Sequence, residues 1–201
     1  GVGIVGDSPR TVIQGNLIGT DVSGTLDLGN AYDGISVGHD AYAAFPSGTQ
    51  IGGRTPEARN IIANNASGIK IVRGGGNVIE GNYIGTDITG AVAIGNSGDG
   101  IIVSGAPNNT IGGDITDERN VISGNAGDGI RLDNADNNTI TGNYIGLNAN
   151  GEEAVEGIYE SFDYAPGTDL NGLNGGDNWE AAWAAPAGDS IVANSLNVPG
   201  L

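Results

Sequence analysis

The sequence repeats two related motifs in alternation, and this repetition constrains the fold more than any other feature. The segment TVIQGNLIGTD at residues 11–21 recurs as NVIEGNYIGTD at 77–87 and as NTITGNYIGLN at 138–148. A second segment, TQIGGRTPEARNIIANNASGI at 49–69, recurs as NTIGGDITDERNVISGNAGDGI at 109–130. Repeats of this kind are the units of a solenoid, because one unit cannot bury its own apolar face.

The two repeat types share three columns of isoleucine. The first column contains Ile13, Ile51, Ile79, Ile111 and Ile140. The second column contains Ile18, Ile62, Ile84, Ile122 and Ile145. The third column follows a glycine and contains Ile35, Ile69, Ile101 and Ile130. Because β-branched residues pack well on pleated strands, the columns indicate three short β-segments in each repeat of about 32 residues.

Three strands per repeat predict a triangular coil, and stacked coils pair each strand in parallel with its equivalent about 4.8 Å away. We therefore predict an all-β fold, a right-handed parallel β-helix of about five coils over residues 1–157. A non-solenoid C-terminal tail is predicted over residues 158–201. Residues 1–5 read as a third strand, so the sequence is expected to open within a coil.

Asparagines recur at fixed offsets from these columns. One set contains Asn16, Asn60, Asn82, Asn120 and Asn143. A second set, four residues before a Gly-Ile pair, contains Asn30, Asn64, Asn96 and Asn125. Asparagine is a turn residue, but stacked amides also hydrogen-bond in ladders, and the constant offsets favour ladders. The glycines before the third column are expected to supply a special backbone conformation; they are Gly34, Gly68, Gly100 and Gly129.

The elements NxIxGNYIGTDxTG and NTIGG…RNVISGN resemble the parallel β-helix repeats of large bacterial surface and secreted proteins. These repeats belong to the broad pectate-lyase-like solenoid superfamily, and the resemblance covers residues 1–157. It implies an extracellular or cell-surface location in a bacterium. It implies no single function, because the same solenoid carries lyases, adhesins and phage fibres.

The tail differs in composition, since it holds five of the ten aromatic residues. It resembles the opening strands of a concanavalin-A/laminin-G-like sandwich. Two explanations stay open: the sequence is cut from a longer chain with neighbouring domains, or the tail folds back on its own coils or crosses to another subunit in a head-to-tail filament. The aromatic residues that we expect at a partner contact are Tyr42, Phe45, Phe162, Trp179 and Trp183.

Charge and composition exclude several functions. The chain carries 7 Lys and Arg against 24 Asp and Glu, a net charge of −17, so it cannot neutralise the phosphates of a nucleic acid. No apolar run is long enough to span a membrane, and without cysteine no disulfide or thiolate metal site can form. We therefore expect partners other than nucleic acid and no membrane span.

We predict no enzyme activity and no catalytic residues. The lyases of the resembling superfamily need a basic residue, yet Arg59 and Arg119 occupy equivalent repeat positions, which indicates a structural role. Lys70 and Arg131 share one outward position of the third strand. His39 is the only histidine and lies in a long loop. The acidic residues that directly precede a glycine are typical of turns.

No cofactor is predicted, with calcium as the one open alternative. Asp21 and Asp87 begin equivalent GTDxxG turns, where carboxylates and carbonyl oxygens would suit Ca²⁺, and Asn148 stands in the third equivalent.

These features together predict an extracellular structural or adhesive module that self-associates or joins neighbouring domains. The alternative is a carbohydrate-binding or polysaccharide-degrading β-helix. That alternative requires an outward groove that carries acids, a base and aromatic side chains on one face.

Overall fold

The computed structural model describes residues 1–41 and 43–152, together with the backbone of 155–156. Most of the described strands form three parallel five-stranded sheets, which confirms the predicted right-handed parallel β-helix of five coils. Strands are numbered along the chain. The predicted tail, 158–201, lies outside the described residues, so its separate character stays a prediction.

The first sheet carries the first isoleucine column. Its strands are β2 (Val12–Ile13), β5 (Gln50–Gly52), β8 (Val78–Glu80), β12 (Thr110–Gly112) and β15 (Thr139–Thr141). The register pairs Ile13 with Ile51, Ile51 with Ile79, Ile79 with Ile111 and Ile111 with Ile140. The column is therefore continuous from coil to coil.

The second sheet carries the second column. Its strands are β3 (Leu17–Ile18), β6 (Ile61–Ile62), β9 (Tyr83–Ile84), β13 (Val121–Ile122) and β16 (Tyr144–Ile145). Each strand has only two residues, and the five isoleucines of this column stand in register.

The third sheet includes the strand expected at residues 1–5. Its strands are β1 (Val2–Ile4), β4 (Ile35–Val37), β7 (Ile69–Val72), β11 (Ile101–Ser104) and β14 (Ile130–Asp133). Val2 pairs with Ile35, and the register continues through Ile69 and Ile101 to Ile130. The first coil therefore contains β1, β2 and β3, and the fifth contains β14, β15 and β16.

Odd and even coils are built differently. The second and fourth coils each carry a short 3-10 helix, Pro56–Ala58 or Thr116–Glu118, between the first and second sheets. The odd coils instead carry a long loop after the second sheet. These long loops contact each other past the intervening even coil: the Ile88 amide donates to the Gly24 carbonyl at 3.1 Å, and the Ala149 amide donates to the Gly90 carbonyl at 2.9 Å. The strands β10 (Val92–Ala93) and β17 (Val155–Glu156) pair in parallel within this stack.

The isoleucine columns form the core. Ile51, Ile79, Ile84 and Ile111 are fully buried, and they belong to one apolar cluster that extends through the coils. Burial of such a side chain contributes about 1.5–3 kcal/mol relative to exposure. The columns are therefore the main source of stability for the fold.

The first set of asparagines forms a ladder at the corner between the first and second sheets. The Nδ2 of each asparagine donates to the Oδ1 of its equivalent in the next coil, from Asn16 through Asn60, Asn82 and Asn120 to Asn143, at 2.9–3.0 Å. The same Oδ1 atoms accept from backbone amides, as from Asn16 N to Asn60 Oδ1 at 3.1 Å. Because the amides of Asn60, Asn82 and Asn120 are buried and paired on both sides, each contributes to the register as well as to stability.

The second ladder differs from the predicted set at one residue. It contains Asn30, Asn65, Asn96 and Asn125, with contacts of 2.7, 3.1 and 2.8 Å, so the prediction of Asn64 was wrong. The second coil reaches its Gly-Ile pair one residue sooner. Asn64 instead adopts a left-handed conformation with φ 58°, like Gly124 with φ 71° in the fourth coil.

A third ladder, which the sequence reasoning missed, lies at the corner between the third and first sheets. Asn77 Nδ2 donates to Asn109 Oδ1 at 2.7 Å, and Asn109 Nδ2 donates to Asn138 Oδ1 at 2.9 Å. Thr49 takes this position in the second coil, and its amide donates to Asn77 Oδ1 at 2.8 Å. The sequence does carry a signal for this ladder, which is an asparagine two residues before the first-column isoleucine in the third, fourth and fifth coils. The pattern was missed because threonine stands at the equivalent position in the first two coils.

The glycines before the third column are required for a different reason from the one predicted. None of the four has a positive φ. A Cβ on Gly100 would lie 2.7 Å from Ile122 Cγ2 and 2.6 Å from the Gly129 carbonyl oxygen. Close packing against the second isoleucine column, rather than backbone conformation, therefore excludes a side chain at this corner.

Candidate functional site

The two equivalent arginines of the even coils are engaged with the coil that follows. Arg59 lies 4.1 Å from the centre of the Tyr83 ring and donates through Nε to the Gly81 carbonyl at 3.2 Å. Arg119 repeats both contacts, 4.0 Å from the Tyr144 ring and 2.9 Å from the Gly142 carbonyl. Stacking over an aromatic face stabilises the guanidinium. These arginines therefore join an even coil to an odd one.

Lys70 and Arg131 occupy the shared outward position of the third sheet, on either side of Ile102. Arg131 pairs with Asp99 at 2.9 Å and with Asp133 at 3.3 Å. Asp99 is 7% exposed, and its Oδ1 also accepts from the Asp128 amide at 2.7 Å. Arg131 and Asp99 thus serve the packing of the fourth and fifth coils.

A second charged cluster lies on the outer face of the first sheet. Arg54 contacts Glu118 at 2.6 Å and Glu80 at 3.9 Å, and Gln50 Nε2 donates to Glu80 at 3.4 Å. Glu80 is 7% exposed. Its side chain is held by two residues of the second coil, and Arg54 also joins that coil to Glu118 of the fourth.

The candidate calcium residues cap their own turns. Asp21 Oδ1 accepts from the Leu26 amide at 3.0 Å and from the Ser23 hydroxyl at 2.8 Å, and these two bonds lower the pKa of the Asp21 carboxyl below its ordinary range. Asp87 Oδ1 accepts from the Val92 amide at 3.1 Å.

Asn148 makes the same turn without a charge. Its Oδ1 accepts from the amides of Asn150 at 2.9 Å and Glu152 at 3.0 Å. The turn therefore requires an acceptor oxygen rather than an anion. Across the described part of the chain, no three His, Cys, Asp or Glu side chains form a group that would hold a metal.

One groove on the outer face of the third sheet gathers several kinds of polar side chain. Its volume is about 560 Å³, and Ser36 and Lys70 lie among the residues that line it. The loops on either side supply Tyr32, Asp33 and His39. Tyr32 is 84% exposed, and the His39 Nδ1 accepts from the Ala41 amide at 3.1 Å. The groove therefore combines acids, a base and an aromatic ring, which the sequence columns did not align.

The expected partner contacts are only partly within the described residues. Phe45 is half-buried, and the guanidinium of Arg73 lies 5.7 Å from its ring centre while pairing with Asp40 at 3.0 Å. Phe45 thus contacts an arginine of the next coil. Tyr42, Phe162, Trp179 and Trp183 lie outside the described residues.

Within the described residues, no helix is long and apolar enough to cross a membrane. The two helical segments there are single 3-10 turns.

Comparison with known proteins gives one match. The model of a family described as periplasmic copper-binding protein (NosD) matches residues 85–196. No curated protein matches, and no solved structure matches. The matched residues make up more than half of the chain and include the long loop of the third coil and the whole of the fourth and fifth coils. The chain therefore belongs to the NosD family.

Proposed function

We propose that this chain is a bacterial extracytoplasmic module with a mechanical and adhesive role, a rigid β-helical rod. The observation that carries the proposal is the continuity of the three asparagine ladders alongside the isoleucine columns. Every corner of the third coil is fixed by both a buried amide and a buried aliphatic side chain. The periplasmic description of the family supports the location.

The use of charged side chains supports a role without catalysis. Arg59 and Arg119 stack on tyrosines of the next coil, and Arg131 is held by Asp99. A catalytic base or acid must instead face a substrate at hydrogen-bonding distance. These groups therefore support coil-to-coil packing rather than chemistry.

The stacked long loops support the adhesive part of the proposal. Val22 is 92% exposed, Leu28 65%, Leu26 53% and Ile88 45%. Four exposed apolar side chains on two loops in direct contact form a patch of the kind that marks protein contacts.

Force spectroscopy on the full chain, held by its ends, tests the mechanical role. A rod that unfolds coil by coil is expected to give repeated force peaks, each releasing about 110 Å of chain for about 32 residues. Extension without force peaks would contradict the proposal. Electron microscopy at low and raised calcium tests self-association: fibres with the axial repeat of one rod would support head-to-tail assembly, whereas discrete particles at both calcium levels would restrict the adhesive role to other partners.

Carbohydrate binding is a second candidate, favoured by the groove beside Lys70. Its exposed Tyr32 ring suits stacking on a sugar, and Asp33, Ser36 and Lys70 offer hydrogen bonds to hydroxyl or carboxylate groups. Titration with neutral and acidic oligosaccharides, monitored by calorimetry, tests it. Saturable binding that Tyr32→Ala and Lys70→Ala each weaken is expected for this candidate. If neither class of oligosaccharide binds, the carbohydrate-binding candidate is excluded and the mechanical role remains.

A further inference from the structure

We infer that the 201 residues of this chain hold no copper site of their own, although the matching family is described as copper-binding. The inference rests on the donor atoms of the chain and is independent of the mechanical role proposed above.

The donor set is wrong for copper. Soft thiolate and thioether ligands select Cu(I), and imidazole nitrogens are the main protein ligands for Cu(II). The whole sequence contains no Cys, no Met and one His. The chain therefore offers no sulfur ligand for Cu(I) and at most one imidazole for Cu(II).

The surroundings of that imidazole are also unfavourable. His39 Nδ1 already accepts a hydrogen bond from the Ala41 amide at 3.1 Å. Asp40, the nearest carboxylate in sequence, pairs with Arg73 at 3.0 Å, and the Lys70 ammonium lines the same groove. A copper ion bound by the His39 imidazole and the Asp40 carboxylate would have to break the hydrogen bond from Ala41 and the ion pair with Arg73. It would also be repelled by the Lys70 ammonium.

Carboxylates away from His39 do not supply the missing copper ligands. The described residues contain no metal-holding group of three or more His, Cys, Asp or Glu side chains. Asp21 and Asp87, the two acids with the most regular placement, are engaged by the amides of their own turns. Any copper bound in a complex that includes these 201 residues therefore takes its ligands from outside them.

Two titrations on the purified full chain test this inference. Cu(I) is offered under reducing, anaerobic conditions against a chromophoric chelator, and Cu(II) is offered by equilibrium dialysis with metal analysis. His39→Ala serves as the matched variant, with circular dichroism as the check on folding.

We expect no stoichiometric retention of Cu(I), and only weak Cu(II) uptake that is equal in the original chain and in His39→Ala. One equivalent of Cu(I) retained against the chelator would overturn the inference. Stoichiometric Cu(II) that the His39→Ala variant loses would overturn it as well, because the single imidazole would then anchor a site. Stoichiometric Cu(II) retained by both proteins would overturn it through a site made of oxygen ligands.

Discussion

Ile122 and Ile145 occupy the same column and each stands two residues after a ladder asparagine, yet their environments differ greatly. Ile122, in the fourth coil, is 1% exposed, whereas Ile145, in the fifth, is 48% exposed. The strands that carry them pair in register. Ile18 of the first coil, which has a described neighbour only on its following side, is 6% exposed. The difference therefore shows that a coil does not bury its own isoleucine, and that burial comes from the coil stacked after it. Stability should therefore depend on position in the stack more than on local sequence.

The largest effect is expected from a charge placed in the middle of a column. Ile122→Asp should unfold the neighbouring coils, because an unpaired carboxylate cannot be accommodated in the apolar interior. Ile145→Asp should have a much smaller effect, because its side chain is already half-exposed. Thermal and urea unfolding of both variants measures the contrast. Unchanged melting of Ile122→Asp would show that the register of the second isoleucine column is wrong.

A second contrast separates two adjacent asparagines. Asn65→Gly removes the buried amide from the second ladder and leaves its partners unpaired, which should cost about 1–3 kcal/mol. Asn64→Gly should be close to neutral, because glycine tolerates the left-handed conformation that Asn64 adopts. Urea unfolding of the two variants provides the measurement. Equal losses of stability would place both residues in the ladder and contradict the assignment.

A third substitution should extend a ladder. The buried Thr49 hydroxyl has no hydrogen-bond partner, whereas Asn77 at the equivalent position donates to the Gly74 carbonyl at 2.8 Å and to Asn109. Thr49→Asn should therefore raise stability by about 1 kcal/mol. Thr49→Val is the control, since it removes the hydroxyl without adding an amide and should change little. A lower melting temperature for Thr49→Asn than for Thr49→Val would contradict the proposed extra rung.

The smallest effect concerns pH. Since the folded-state pKa of Asp21 is lowered, its contribution to stability is complete above the ordinary carboxyl pKa and is lost as the pH falls below about 4. Asp21→Asn should preserve the turn at neutral pH, as Asn148 does, and should reduce the loss of stability in acid. Melting temperatures at pH 7 and pH 3 give the comparison. An unchanged acid response in Asp21→Asn would show that other groups dominate.

Periodic features of the molecule were predictable from sequence, and features that depend on loop length were not. The isoleucine columns and the ladder from Asn16 to Asn143 keep constant offsets, so counting along the chain locates them. Asn64 was assigned wrongly because the second coil shortens one corner by a residue. The groove near Lys70 brings together loops from different coils, and no spacing within one repeat encodes that contact.

The central claim, that a coil is stabilised by the coil stacked after it, is tested most directly by site-resolved amide hydrogen exchange on the full chain. The amides of Tyr83 and Tyr144 make equivalent bonds, to Asn60 O at 3.0 Å and to Asn120 O at 2.9 Å. If stacking governs stability, Tyr83 should exchange only through global unfolding, and Tyr144 through a local opening of lower free energy. Equal exchange free energies at the two amides would contradict the account.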